Sequence, residues 1–336
     1  MSTFASYVCL PEVDFVIPHS ASSSELILCD FVGLNSSNGL YPLSTLCRSV
    51  PREDAQLLFF PFDASRFLDT RNKKAFELML SSLKYEKKEQ KICVVYDGAD
   101  NTGLVDFGDL QEDICYFKIS LYRENENKAY PCSYKIPDHV LQDSPEFDFR
   151  RIEYDVSFVG NATNSLRKFV CLSVQREKKL RSKIVFDDKI DFKFVDGVQY
   201  VIMNEREENT EEKKRALYRK IMKKSLCVLC PPGIGPQSIR FFETLFFGRI
   251  PVLLDNGIVY PFEEFIDYTS FSLIISRHDV SRIGEVLSDF ILGTPRDELY
   301  AKCIQSRKVY EEWFSPSVRI NRLLDVYLNK HKKLKI

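Results

Sequence analysis

The chain lacks a charge excess: 47 lysines and arginines stand against 48 aspartates and glutamates, for a formal net charge of -1. That balance argues against a nucleic-acid binder working through a broad positive field. A secretion signal is missing too, because MSTFASYVCLPEVDFVIPHS has no basic start ahead of an apolar core. No stretch approaches the ~18 uninterrupted apolar residues of a membrane span, so the expectation is a soluble, unsecreted chain working in the cytoplasm. No internal repeat is evident. Nor does a Gly-Lys-Ser/Thr follow the glycine-bearing loop, which excludes a P-loop.

Ten cysteines are scattered from Cys9 to Cys303, most inside apolar runs such as Leu28-Cys29 and Ile92-Cys93-Val94-Val95, and read as reduced core residues. Cys227 and Cys230 have CxxC spacing, but on a strand residues i and i+3 face opposite sides, and no second pair completes a zinc set. No metal and no cofactor is expected.

What is present is an alternation. Apolar runs of strand length fall at 26–29, 56–60, 92–96, 115–119, 156–159, 226–230, 251–254 and 272–275, with helical spacing at 74–83, 166–174 and 210–224. Strands alternating with helices imply an α/β fold with mostly parallel sheets, and 336 residues suit two domains of roughly 100 to 200 residues each. The polar, proline-bearing stretch 123–150 is the linker candidate, giving expected domains 1–140 and 141–315. A helical tail, 316–336, ends in Lys330-His331-Lys332-Lys333-Lys335. That cluster is either a solvated helix end or a weak peripheral contact for anionic lipid.

The segment Ser225–Asp255, SLCVLCPPGIGPQSIRFFETLFFGRIPVLLD, carries the densest chemistry. A strand ends at Pro231-Pro232 and a helix starts near Ser238, so the loop sits where unpaired helix amides and the helix dipole favour an anion, and Gly233 and Gly235 let backbone approach it. Within Ile239–Phe247 only Arg240, Glu243 and Thr244 are not apolar. Glu243 either lies buried and accepts from sugar hydroxyls or pairs with Arg240 on a solvated stripe. Gly233, Gly235 and Ser238 also make an incomplete dinucleotide fingerprint with Asp255 as its acid, which keeps an NAD(P)-dependent oxidoreductase open as an alternative.

The order CPPGIGPQSIRFFETLFFGRIPVLLDN, then PFEEFIDYTSFSLII, resembles the C-terminal half of the exostosin-like glycosyltransferases, glycosyltransferase family 47, over roughly Tyr218–Ile275. Asp155–Gly160 with Arg167, and Ala55–Pro61, are weaker echoes. The chain departs from the family at Pro232, where a basic residue is common. The resemblance implies a GT-B architecture, two Rossmann-like domains facing a cleft, and an inverting, metal-independent transfer from a nucleotide-diphosphate donor, UDP-linked by expectation, to a glycan or glycolipid acceptor. Under it, loop amides from Gly233 to Ser238 with Arg240 and Arg167 neutralise the diphosphate, Glu243 holds the ribose, and Glu263 and Glu264 reach the donor sugar. Inversion calls for a base, placed at Asp100 after the 92–96 strand, with Asp97, Asp63 and His19 as competitors. A transferase-like protein that binds glycans without catalysis is a further alternative.

Overall fold

The computed structural model describes residues 103–328 and 330, except 135, 146–147, 163, 187–189, 196–197 and 204–207; before residue 103 it describes strand segments 7–9, 16–18, 57–62 and 92–97, Gly98, and helical positions 77, 80, 81 and 84. The chain forms two units. One takes Met1–Lys135, Ile258–Phe262 and Ser315–Ile336, the other Ile136–Gly257 and Glu263–Phe314.

The first unit is built on a parallel sheet of β1 (Leu57–Phe62), β2 (Ile92–Asp97), β3 (Ile114–Lys118) and β4 (Tyr130–Pro131), adjacent in that order. All five β3 residues are buried, which is why Ile-Cys-Tyr-Phe reads as a continuous apolar run rather than an alternation. β4 lies inside the segment read as a linker. Its proline is tolerated because β4 is an edge strand, where a missing N–H breaks no ladder bond on the outer side.

The sequence reading gives 316–336 a segment of its own, whereas in the structure the tail joins this first unit. Tyr327 is the reason. Its ring stacks on Tyr130 and Phe262, at centroid distances of 5.1 and 5.5 Å, and its hydroxyl accepts from the Phe262 amide at 2.7 Å. Buried Arg319 adds a 3.2 Å bond to the Ser133 carbonyl. From residue 331 on, the basic cluster lies outside the described residues. Among the described residues no helix is long and apolar enough to cross a membrane.

The second unit holds five parallel strands, β5 (Tyr154–Gly160), β6 (Ser182–Phe186), β7 (Ser225–Leu229), β8 (Ile250–Leu254) and β9 (Leu273–Ile275), ordered β9-β8-β7-β5-β6. A hairpin, Ile190–Val195 with Val198–Met203, follows β6. Helices α1 (Ser165–Arg176), α2 (Glu208–Lys223), α3 (Ile239–Phe246), α4 (Ile283–Gly293) and α5 (Arg296–Val309) surround the sheet. The chain leaves β5 in one direction to reach β6 and returns past it to β7. Right-handed crossovers running in opposite directions place their helices on opposite faces. α1 packs beside α4, while α3 packs on β8 and against α5. The core comprises Val156, Phe158, Leu226, Leu229, Val252 and Leu254 from the strands, with Val170, Val174, Leu287 and Leu299 from the helices.

Candidate donor site at the sheet switch point

Because the strand order reverses between β5 and β7, their carboxyl ends mark the place where ligands of open parallel sheets bind. Two loops meet there, one after β5 that carries Asn161 and Asn164, and 230–238 after β7. They are tied together by α1. Asn164 caps that helix by accepting from the Arg167 amide at 2.8 Å, and its side-chain amide donates to the carbonyls of Pro232 and Gly233, at 3.2 and 2.7 Å. Arg167 donates to Asn161, Pro231 and Pro232 carbonyls at 3.1–3.2 Å. Pro231-Pro232 offers carbonyls and no amides, so a guanidinium suits it. A Cβ at Gly233 would lie 2.8 Å from Arg167 Nη2, so glycine is needed for this closeness. On the far side of the loop, the Asn256 amide donates to the Pro236 carbonyl at 2.9 Å.

Arg240, from the first turn of α3, turns toward the end of β5. Its Nη2 donates to the Val159 carbonyl at 2.8 Å and its guanidinium lies 4.4 Å from the Phe158 ring centroid. Gly160 makes room, since a Cβ there would collide with that guanidinium. Among the described residues, Arg240 Nε has no hydrogen-bond partner, although the residue is only 8% exposed. The same holds for Ser238 Oγ, both amide atoms of Gln237 and Oδ1 of Asn161; Ser238 is 6% and Gln237 3% exposed. Ser238 occupies the N-cap of α3, yet its hydroxyl makes no cap bond. A buried polar group left unpaired costs about 1–3 kcal/mol, so four such side chains at one switch point mark hydrogen-bonding capacity that the described residues do not use.

Glu243, one turn further along α3, is 6% exposed and accepts a hydrogen bond from the Tyr218 hydroxyl of α2. Burial pushes its carboxyl above the usual range, against the pull of the Arg240 charge and the Tyr218 bond. The solvated stripe is thereby excluded: Arg240 and Glu243 are both buried, and each points to a different partner. The helix carrying them ends in a Schellman turn, with Arg249 N bonding Thr244 O and Gly248 N bonding Leu245 O.

Of the other residues singled out in the sequence, Gly233 and Gly235 lie in the 230–238 loop itself. The Gly233 amide is turned inward onto the Gly235 carbonyl at 3.0 Å, and Gly235 is buried. Glu263 is half-buried and Glu264 exposed, in turns after β8. Asp255 is exposed, and Arg277 donates to its carbonyl at 3.1 Å. Asp100, Asp63 and His19 lie outside the described residues. Asp97 is fully buried, 3.3 Å from Lys118 Nζ, and accepts from the Tyr116 hydroxyl at 2.9 Å. Cys227 and Cys230 are free and buried, and burial pushes the Cys230 thiol up to about 12, which suits inert core residues.

Sequence reasoning missed Gln237, Asn161, Asn164 and Tyr218. The asparagine at 164 had a signal, an N-cap residue just ahead of an apolar helical pattern. Tyr218 had none, because its partner is 25 residues away on another element.

Residues 157–290 match the Exostosin GT47 domain. The chain is 32% identical over 96 residues to a protein named probable glycosyltransferase from Arabidopsis thaliana, covering 28% of this chain and 18% of that one. It is 34% identical over 87 residues to a protein named probable glucuronosyltransferase from Oryza sativa subsp. japonica, covering 26% and 20%. With an exostosin-1 homolog of Caenorhabditis elegans it shares 30% over 105 residues, covering 31% and 26%. The matched stretches therefore span less than two thirds of these relatives. Among solved structures, a glycosyltransferase from Rickettsia africae superposes with TM-score 0.45 at 10% identity, over 83% of this chain and 77% of that one. A sucrose-phosphate synthase from Thermosynechococcus elongatus does so with TM-score 0.44 at 9% identity, over 93% and 88%. At such scores the structural likenesses carry no argument; the stretch bearing the switch-point loops and the Glu243 helix lies within the residues that match the Exostosin GT47 domain.

Proposed function

We propose that the chain is a glycosyltransferase of the GT-B class whose second unit holds a nucleotide-diphosphate sugar, UDP-linked in the simplest case, at the β5/β7 switch point. The observation carrying this reading is the buried set of Gln237, Ser238 and Arg240 with unmet hydrogen-bonding atoms, one helical turn from the buried carboxylate of Glu243. A nucleotide sugar meets that inventory. Its diphosphate accepts from Arg240 Nε and Ser238 Oγ at the amino end of α3, where the helix dipole adds positive character. Its ribose hydroxyls donate to Glu243, which Tyr218 holds in place. Arg167 shapes the loop by holding its carbonyls, and the charge facing the phosphates comes from Arg240.

Arg240 and the helix end would stabilise the departing diphosphate without a divalent cation, and transfer with inversion would need one base at the acceptor hydroxyl. Asp100 remains the proposed base. Asp97 is engaged by Lys118 and Tyr116, which supports Asp100 over it. The acceptor is proposed to be a glycan or glycolipid.

The test is thermal stabilisation by UDP, GDP and their sugar conjugates. Ligand at 100 times its dissociation constant stabilises the folded state by about 2.7 kcal/mol through mass action. The reading predicts a clear upward shift with at least one nucleotide, undiminished by a metal chelator. No shift with any nucleotide contradicts it.

A further inference from the structure

The unmet groups at the switch point are not all donors. Arg240 Nε and the Gln237 Nε2 can donate, and Ser238 Oγ can donate or accept, but Gln237 Oε1 and Asn161 Oδ1 only accept. Diphosphate oxygens are acceptors at neutral pH, so they answer the first three atoms and leave the last two without a hydrogen. A ligand that completes this site must therefore bring hydroxyl or N–H groups beside its anionic part.

This step rests on the nucleotide-sugar reading above. With the ribose assigned to Glu243, the remaining hydroxyl-rich portion of such a ligand is the transferred sugar. We infer that Gln237, assisted by Asn161, hydrogen-bonds hydroxyl groups of the transferred sugar and is a specificity-determining residue of the donor site. A primary amide suits that task. It is neutral, it offers a donor and an acceptor side by side as a hydroxyl does, and swapping its O and N leaves both ends unmet just the same. Its position fits as well: Gln237 immediately precedes the α3 N-cap and is only 3% exposed, so its amide is desolvated before any ligand arrives. A site that hydrogen-bonds a substrate hydroxyl discriminates strongly against analogues lacking it, because the buried amide is then left unpaired.

The experiment compares Gln237→Leu with the parent by titration calorimetry, using UDP, UDP-glucose, UDP-galactose and UDP-xylose, with GDP and GDP-mannose alongside. The quantity read is the sugar increment, the affinity ratio of conjugate to bare nucleotide. The expected result is a loss of about tenfold in the increment of the preferred conjugate, the size of one or two net hydrogen bonds, with bare nucleotide affinity changed less than about twofold. Gln237→Glu, which keeps an acceptor but adds charge, lowers the increment too. The ligand-free Gln237→Leu protein melts at or above the parent temperature, because an unpaired buried amide has been removed. Should Gln237→Leu fail to fold, Gln237→Met, unbranched and close in volume, gives the same comparison. Equal losses for nucleotide and conjugate overturn the inference while leaving the nucleotide reading intact, as does an unchanged increment. Failure of the parent to bind any nucleotide removes both.

Discussion

The two parallel sheets each carry buried charge near their carboxyl ends, and they treat it in opposite ways. In the first unit, Asp97 closes β2 and Lys118 closes β3; they lie 3.3 Å apart, fully buried, with the Tyr116 hydroxyl completing the set at 2.9 Å. In the second, Arg240 at the end of β5 meets a carbonyl and an aromatic face, and its Nε, the Ser238 hydroxyl and the Gln237 amide are met by nothing among the described residues. Charges that answer one another hold a fold together. Polar groups kept buried and unanswered, at the point where strand order reverses, are arranged for something that arrives later.

That contrast can be broken most forcefully in the first unit. Asp97→Asn leaves the Lys118 ammonium buried beside a neutral amide and is expected to destabilise the protein by about 3–5 kcal/mol, read by chemical denaturation. A loss under 1 kcal/mol would mean that the Asp97 cluster is not structural and would return Asp97 to the list of candidate bases.

In the second unit the larger effect falls on ligand affinity. Glu243→Gln is expected to lower donor affinity by about 10- to 150-fold, the range of charge-assisted hydrogen bonds worth about 1.5–3 kcal/mol. Its stability moves the other way. A carboxyl whose folded-state pKa is raised contributes stability at low pH that disappears as pH rises from its unfolded value through the folded one. Glu243→Gln cannot ionise, so its melting temperature should gain on the parent as pH rises above 4.5, the ordinary glutamate value. Melting scans across that window that run parallel would contradict the burial argument.

Tyr218→Phe sharpens the comparison with a smaller change. One net hydrogen bond of about 0.5–1.5 kcal/mol predicts a 2- to 13-fold weaker donor affinity. Since the Tyr218 bond lowers the Glu243 pKa, its loss raises that pKa further, and affinity should begin to fall at a higher pH on acidification than in the parent. An identical pH profile would assign Tyr218 to packing alone.

Much of the second unit was legible in the sequence for a physical reason: β7 and β8 are buried throughout, so their apolar runs are unbroken, and the loop between β7 and α3 is marked by prolines and glycines. The resemblance through Ser238, Arg240 and Glu243 came from residues adjacent in sequence. The rest of the site depends on approach through space. Arg167 holds Pro231 and Pro232 from 64 and 65 positions away, and Arg240 reaches the Val159 carbonyl across 81. No local periodicity reports such pairs. β4 went unread because a two-residue edge strand with a proline carries no strand pattern, and β6 because Ser182–Phe186 is only half-buried and interrupted by Lys183. The tail was separated from the first unit because Tyr327 looks like any tyrosine on a helical pattern until Tyr130 and Phe262 are seen on either side of it.

The central claim is that the Arg240 guanidinium faces a diphosphate, and calorimetric titration of the preferred sugar nucleotide into the parent and into Arg240→Met tests it most directly. Methionine keeps the packing against Phe158 and removes the charge. Binding by the parent with a 10- to 150-fold loss in the variant, about 1.5–3 kcal/mol, is the predicted outcome; equal affinity in the two proteins would contradict it.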